Sequence, residues 1–307
     1  MSVVADSRDM YEKQYIQILK QIKSEGFRQM NERTGVETLR IPHAIISVDL
    51  EDEFPILKCK QVYWKSALKE ILWIMQAQSN NINELDAHIW DDWADENGSI
   101  GKAYGYQVGK KICVDGMEYP SQVHYVLQRL SSDSSDRRGV IDLWNVDDMG
   151  EMNLVPCCYT SHWTVINGKL NCMLMQRSAD FLVGVPFNTT QYAMLTILFA
   201  RHLGVQPGQL THCMSDAHIY LYDSHINGME QMIENYYRWY DAPMITTKLA
   251  KELKKVSESF KLLDEVNEAV PDFVVESENN DFFSVNWADC NLENYKSFGK
   301  ISFDVAV

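Results

Sequence analysis

The sequence predicts an α+β fold in which helices and strands are mixed along one domain. Apolar residues recur at spacings of three and four in some segments and alternate with polar residues in others, the patterns of amphipathic helices and half-buried strands. No internal repeat and no proline- or glycine-rich linker divides the 307 residues. Because a chain of this length can bury a substantial core, we treat residues 1–307 as one domain with a loose start at 1–9.

The composition restricts the partners and the compartment. The net charge is −15 and the pI about 4.9, so no basic excess is present to neutralise a nucleic acid backbone. No apolar run reaches the roughly 18 residues that span a bilayer, and the polar stretch 1–14 lacks the apolar core of a signal peptide. We therefore expect a cytoplasmic protein that requires neither a membrane nor a nucleic acid. Seven cysteines without a CxxC pair predict free thiols and no metal site.

The first part of the chain contains two helix patterns and a strand pattern. Helical spacing covers 10–23, a loop follows at 31–35, and 38–50 is strand-like. Between 62 and 76, apolar side chains point in nearly every direction around a helix, so that helix should be deeply buried. Glu70 lies in its middle, and a buried carboxylate is costly unless it has a partner or a function.

The strongest local signal in the second part is a hairpin. Strand patterns at 158–166 and 170–176 flank Asn167-Gly168, a dipeptide typical of primed hairpin turns. A nearly all-apolar helix is predicted at 191–203, after a turn at 184–188. The remaining predictions are a loop at 88–107, a helix at 121–130, a strand at 140–144, and a charged helical stretch followed by an exposed acidic loop within 249–281.

A nucleophilic cysteine is one interpretation of the segment before the hairpin. Pro156 fixes the backbone just before Cys157, at the start of a strand. A free thiol is only a few per cent ionised near neutral pH, so a catalytic cysteine needs a nearby cation. Arg177, at the end of the second hairpin strand, could supply it. On this segment alone, two buried cysteines are the commoner case.

Four further motifs have both a chemical and an ordinary structural interpretation. Arg137 and Arg138 could clamp a phosphate, or lie in a solvated turn. Asn188 could bind the edge of a planar base, or cap a helix. His218 and Tyr220, on one strand face, could contact a sugar hydroxyl, or belong to the core. Glu70 could be a functional acid surrounded by Trp90, Trp93 and Tyr104, or these aromatic side chains could simply belong to the core.

These segments, taken in chain order, resemble the thymidylate synthases. The resemblance runs from about residue 11 to Val307 and lapses only through about 250–281, which contains an apparent insertion at about 254–281. Details at Trp64-Lys65, at 105–111 and at the last five residues are most similar to the subgroup of some bacilli and their phages. The matching motifs are Arg33-Thr34-Gly35, Phe54-Pro55-Ile56-Leu57, Lys69-Glu70-Ile71-Leu72-Trp73, residues 89–98, Tyr104-Gly105, Asp136-Arg137-Arg138, Trp144-Asn145, Pro156-Cys157, Gln176-Arg177-Ser178, Asp180, Pro186-Phe187-Asn188 and residues 216–220.

The resemblance implies a fold, an assembly and a reaction. The fold would have a large mixed, twisted β-sheet flanked by helices, with one sheet face packed at a homodimer interface. The reaction would be the reductive methylation of dUMP to dTMP. The co-substrate 5,10-methylenetetrahydrofolate would give both the carbon and the hydride and leave as dihydrofolate, without a metal.

The resemblance also implies roles for individual residues. Cys157 would add to C6 of dUMP beside Arg177, Glu70 would organise proton transfers near O4, and Tyr104 would help remove the C5 proton. Asn188 would bind the uracil edge, and Asp180 would serve catalysis and the folate. The dUMP site would comprise Arg33, Arg177, Ser178, Asn188, His218 and Tyr220, with Arg137 and Arg138 of the opposite subunit; the folate site would comprise Trp90, Trp93, Asp180 and the carboxylate of Val307.

The sequence departs from the family pattern at several positions. Cys158 stands where histidine is frequent, Gln61 where arginine is frequent, and Ser215 where glycine is usual, and extra residues lie near 221–224. A dUMP hydroxymethylase of the same fold is an alternative function, although Asn188, Trp90 and Val307 favour methylation of uracil. A non-catalytic relative that binds nucleotides is the alternative from another class.

Overall fold

The computed structural model describes residues 10–240, 265–266 and 269–305. The predicted loose start at 1–9, residues 254–264 and 267–268 of the insertion at about 254–281, and Val307 lie outside these ranges. The helices are α1 (Met10–Glu25), α2 (Trp64–Leu72), α3 (Gly105–Val108), α4 (Gln122–Ser132), α5 (Gly184–Leu203) and α6 (Asp223–Tyr240), and a π-helical turn, Trp73–Ala77, extends α2. Short 3₁₀ turns lie at Ile82–Glu84, Asp91–Trp93, Val146–Glu151, Phe282–Ser284 and Trp287–Asp289.

The strands form two larger sheets and two small ribbons. The strands are β1 (Phe27–Asn31), β2 (Val36–Ile41), β3 (Ala44–Asp49), β4 (Ile112–Val114), β5 (Met117–Tyr119), β6 (Val140–Asp142), β7 (Cys158–Ile166), β8 (Lys169–Gln176), β9 (Ala179–Asp180), β10 (Gln206–Met214), β11 (Ala217–Tyr220), β12 (Asp272–Val275) and β13 (Cys290–Glu293). A five-stranded mixed sheet has the order β3-β10-β8-β7-β6, and a four-stranded sheet the order β1-β2-β11-β9. The α+β class with a mixed sheet and flanking helices is therefore confirmed.

The single strand-like stretch predicted at 38–50 is wrong in detail. It forms β2 and β3, which belong to different sheets. Pro42 lies between them, and proline has no N–H with which to continue a ladder. The chain therefore crosses from the four-stranded sheet to the edge of the five-stranded sheet at this point, and the first sheet also gains β1, which the sequence pattern did not indicate.

The predicted hairpin is confirmed and sets the geometry that follows. Asn167 and Gly168 both have positive φ angles, 52° and 73°, as a type I′ turn requires. The antiparallel register runs from Ile166 opposite Lys169 to Cys158 opposite Gln176. The turn thereby brings the two strand ends, and the residues beyond them, next to each other.

Helix α5 begins earlier than the sequence pattern predicted. The segment 184–188, predicted as a turn, is the first turn of the helix, and Asn188 is not its cap, since Val183 precedes the first helical residue. Proline is accepted in a first helical turn because the N–H groups there have no intrahelical acceptor. Pro186 therefore does not interrupt the helix, which is nearly all buried and packs on α2 and β10.

The last part of the chain packs beside α5. Strand β12 pairs with β13, and Arg201 of α5 donates to the carbonyls of Val275 and Ser277. The acidic segment 276–281, which follows β12 in the chain, is mostly exposed, as predicted. Among the described residues, the helices are too short or too polar to cross a membrane.

The C-terminal end of α5 provides a test of the backbone geometry. Gly204 has a φ of +67°, and no atom lies within 4 Å of the position that a Cβ would take, so only the left-handed backbone penalises a side chain there. We expect Gly204→Ala to lower the free energy of unfolding by about 1 kcal/mol. Gly150→Ala, at a position with equal space and no positive φ, should be neutral or slightly stabilising. Urea unfolding at equal protein concentrations compares them; equal stability of the two variants would contradict the assignment.

Candidate functional site

A cleft of about 470 Å³ lies between α2, α5, β11 and the loop around Trp90. This volume is typical of sites for small organic ligands. Most of the residues predicted from the sequence line it together, although they come from distant parts of the chain. They are Arg33, Glu70, Trp90, Trp93, Tyr104, Cys157, Ser178, Asp180, Asn188, His218 and Tyr220.

Cys157 lies immediately before β7, with its thiol in the cleft wall. Its backbone N–H donates to Tyr104 Oη at 3.0 Å, and its carbonyl accepts from Arg177 N at 2.9 Å. Burial raises the pKa of the thiol, while the charge of Arg177, a hydrogen bond from Tyr104 and the charge of Arg33 oppose that rise. The site thus contains the cations that a thiolate needs, within an otherwise desolvating wall.

Arg177 is held by backbone carbonyls rather than by a carboxylate. Its Nε donates to Pro156 O at 3.0 Å and its Nη2 to Val155 O at 2.7 Å. The guanidinium also lies 5.8 Å from the ring centroid of Trp144. In the part of the chain that the structure describes, no carboxylate pairs with Arg177, so its full positive charge remains beside Cys157.

Glu70 is a buried acid with two hydrogen-bond donors. Trp90 Nε1 donates to Oε1 at 2.6 Å, and Gln191 Nε2 donates to Oε2 at 2.5 Å. Burial raises the pKa of Glu70 to about 7, and the two hydrogen bonds limit the rise. A carboxyl group with a pKa near neutrality can both give and take a proton at physiological pH.

One end of the cleft combines a strand, a turn and a helix start. His218 and Tyr220 lie on β11, with their rings 5.3 Å apart. Arg33, in the turn between β1 and β2, hydrogen-bonds Tyr220 and opposes the burial that raises the pKa of that phenol. Asp180 Oδ1 accepts from the N–H groups of Leu182 and Val183 at 3.1 and 3.2 Å, which fixes the chain just before α5.

Arg177 does not line the cleft itself but lies behind its wall beside Cys157, and three other predicted residues are not in the cleft of the described chain either. Arg137 and Arg138 are exposed and lie beside β6 and β7. Arg138 pairs with Asp136 at 2.8 Å, and the carbonyl of Arg137 lies 3.1 Å from His162 Nε2. Val307 lies outside the described residues, but Val305 lines the cleft.

Gln191 is the functional candidate that the sequence interpretation missed. It is buried, it donates to Glu70, and its Oε1 accepts from Asn188 Nδ2 at 3.1 Å. A polar side chain in a nearly all-apolar helix was the available signal. Trp144 was matched only as part of a motif, and its contact with Arg177 depends on the fold.

The pKa of Glu70 predicts a pH dependence of stability. The usual value is 4.5 and the folded value about 7, so the folded chain retains the proton more strongly. The associated stability is complete below pH 4.5 and is lost as the pH rises through 7, by roughly 3 kcal/mol. Glu70→Gln should lack this loss. Unfolding free energies at several pH values measure it, and parallel pH profiles for both proteins would contradict the assignment.

The comparisons with known proteins agree with this geometry. The family model described as Thymidylate synthase matches residues 13–307. The thymidylate synthase of Clostridium beijerinckii is 36% identical over 301 residues, covering 97% of this chain and 99% of the relative. That of Bacillus phage phi3T is 34% identical over 308 residues, with the same coverage of both chains.

A solved structure extends the similarity to three dimensions. The thermostable thymidylate synthase A from Bacillus subtilis superposes with a TM-score of 0.80 at 33% identity, and the match covers 97% of this chain and 99% of that one. The predicted similarity to proteins of bacilli and their phages is confirmed by these relatives. The chain belongs to the thymidylate synthase family.

Proposed function

We propose that Cys157 is the nucleophile of a reductive methylation that converts dUMP to dTMP. Membership of the thymidylate synthase family makes this chain a methyltransferase that uses 5,10-methylenetetrahydrofolate. The observation that supports Cys157 most directly is its place in the wall of the cleft that Glu70 and Asn188 also line, near Tyr104 Oη and near Arg177, which no carboxylate of the described residues neutralises.

The sulfur makes a poor carbon nucleophile reactive. The Cys157 thiolate forms a bond to C6 of the uracil ring, and the electron pair of the C5–C6 double bond then becomes available at C5. C5 forms a bond to the transferred carbon and then loses its proton, which Tyr104 would help to remove, and the bond between that carbon and the folate nitrogen breaks. Hydride from the folate then adds to the exocyclic carbon, the C5–C6 double bond returns and the S–C6 bond breaks, which regenerates the thiolate and leaves dTMP and dihydrofolate. Glu70, with a pKa of about 7, exchanges protons near O4.

The nucleotide is held at three points. Asn188 binds the edge of the base, and His218 with Tyr220 binds the sugar 3′-hydroxyl. The phosphate lies among Arg33, Arg177 and Ser178, and Arg137 and Arg138 of a second subunit complete the phosphate site. Several guanidinium groups around one dianion explain how a protein of net charge −15 binds an anionic substrate.

The remaining cleft wall fits a folate. Its apolar and aromatic side chains, among them Ile89, Trp90, Trp93 and Phe187, match a flat ring system, and Asp180 supplies an acceptor for ring N–H groups. When bound, the co-substrate supplies the one-carbon unit and the hydride. The chain's own contribution is to stack on the ring, orient it and exclude water, with the carboxylate of Val307 at the end of the segment that reaches the cleft through Val305.

The exposed face of the five-stranded sheet supports a homodimer. One cross-strand row joins Ile45, Cys213, Met175 and Thr160, and Ile45 is 59% exposed. A sheet face with large exposed apolar side chains is typical of a protein interface. Arg137 and Arg138 lie at the β6 edge of this sheet, where a second copy could receive them. All seven cysteines are free thiols, which supports a cytoplasmic location.

The central test is the product of the reaction. With dUMP and 5,10-methylenetetrahydrofolate, we expect dTMP and dihydrofolate in equal amounts, followed by absorbance and chromatography. Cys157→Ser should lower kcat by at least about 10³-fold, because an alcohol is far less ionised than a thiol. Cys113→Ser, at an exposed cysteine, is the control. Hydroxymethyl-dUMP without dihydrofolate would identify a hydroxymethylase, and binding without turnover a non-catalytic relative.

Shared active sites predict complementation between two inactive variants. Cys157→Ser lacks the nucleophile, and Arg137→Ala lacks the cation lent to the opposite subunit. After subunit exchange, about half of the dimers are mixed if pairing is random, and each contains one intact site. We therefore expect partial recovery of dTMP formation on mixing. No recovery, despite exchange demonstrated with tagged subunits, would contradict the sharing of Arg137.

A further inference from the structure

Four polar side chains form one series of hydrogen bonds that starts at three buried residues and ends at the half-buried Asn188 in the cleft. Trp90 Nε1 donates to Glu70 Oε1 at 2.6 Å, and Gln191 Nε2 donates to Glu70 Oε2 at 2.5 Å. Asn188 Nδ2 then donates to Gln191 Oε1 at 3.1 Å. Gln191 is only 3% exposed, so water does not compete for its amide.

The donor and acceptor of each hydrogen bond in this series are fixed from its buried end. The indole of Trp90 can only donate, and an ionised Glu70 can only accept. Gln191 Nε2 faces two acceptors, because the carbonyl of Ala67 lies 3.3 Å away in addition to Glu70 Oε2. Its Oε1 must therefore face the opposite way, toward Asn188.

The consequence for Asn188 is a single favoured amide orientation. Reversing that amide would place Asn188 Oδ1 against Gln191 Oε1, two acceptors without a hydrogen between them. An unsatisfied buried polar contact of this kind costs about 1–3 kcal/mol. Asn188 therefore keeps Nδ2 on the side of Gln191 and has one N–H and its Oδ1 left for a ligand.

Amide orientation decides which pyrimidine can bind. Uracil offers an N–H donor at N3 and an acceptor at O4, whereas cytosine offers an acceptor at N3 and an N–H₂ donor at N4. An asparagine amide can match either pattern, but only by turning over. A side chain that fixes the amide thus selects between the two bases, provided that the amide contacts the ring edge.

We propose that Gln191 is a positioning residue that holds the Asn188 amide in the orientation that accepts uracil and rejects cytosine. This inference rests on the proposed function, in which Asn188 binds the base. The structure gives Gln191 no role in helix capping, and both ends of its amide are used between Glu70, Ala67 and Asn188.

The test compares dUMP and dCMP binding in variants of one position. Gln191→Met has a similar length and no acceptor, so Asn188 can turn over at little cost. We expect the ratio of the dCMP and dUMP dissociation constants to fall about tenfold, corresponding to roughly 1.4 kcal/mol. Gln191→Glu, protonated on the oxygen that faces Glu70 Oε2 and the Ala67 carbonyl, retains an acceptor toward Asn188 and should retain the ratio within about threefold when titrated at a pH below that of its ionisation. Calorimetric titration with each nucleotide measures both.

Two controls separate this role from a loss of packing. Thr196→Val removes another buried polar group of α5, whose hydroxyl bonds Tyr192 O one turn earlier and which is not itself among the residues that line the cleft, and should leave the ratio unchanged. The pH profile of kcat is the second readout: Gln191→Met removes a hydrogen bond that lowers the pKa of Glu70, so the ionisation assigned to Glu70 should move to higher pH.

Asn188→Asp distinguishes the failure of the inference from the failure of its premise. If Asn188→Asp lowers the ratio and Gln191→Met does not, Asn188 binds the base but Gln191 does not orient it, and the inference is wrong. Equal losses in Gln191→Glu and Gln191→Met would also overturn it. If neither Asn188→Asp nor Gln191→Met changes the ratio, the proposed contact between Asn188 and the base is itself wrong.

Discussion

The site depends on an unneutralised guanidinium beside a thiol. A thiol in an apolar wall is disfavoured as an anion, and only a nearby cation offsets that cost. The β7–β8 hairpin supplies the geometry, because its register places Arg177 directly across from Cys157. Two carbonyls hold the guanidinium without cancelling its charge. A carboxylate partner would hold it equally well and would remove the field on the sulfur.

Burial raises the pKa of both ionisable groups proposed to act on the substrate, with opposite consequences for the reaction. Glu70 is buried where α2 packs on α5, and Cys157 in the wall of the cleft before β7. For Glu70, desolvation brings the pKa to about 7, which suits proton exchange. For Cys157 the same effect opposes catalysis and must be offset by Arg177. Desolvation therefore brings the pKa of Glu70 into a useful range, whereas the thiol of Cys157 needs the nearby cation of Arg177.

Local sequence signals predicted what local chemistry determines. Asn167-Gly168 fixed the hairpin because few residues tolerate that turn, and apolar residues on all sides of α2 indicated that Glu70 is buried. The separation of β2 from β3 could not be predicted, since membership of a sheet depends on partners elsewhere in the chain. The early start of α5 was missed because Pro186 suits both a turn and a first helical turn. The contacts of Gln191 required knowledge of how α2 crosses α5.

Residues 303 and 304 are attached to α6, the helix that follows the strand proposed to bind the sugar. Only Leu221 and Tyr222 separate β11 from α6, so the extra residues near 221–224 include the start of α6. Ser224 and His225 in its first turn hydrogen-bond Asp304, with His225 Nε2 at 2.7 Å from the Asp304 carbonyl. Phe303 packs against Gly228 so closely that a Cβ at this glycine would collide with its ring. The departure from the family pattern near 221–224 thus lies at the junction between the strand proposed to bind the sugar and the helix that holds Phe303 and Asp304.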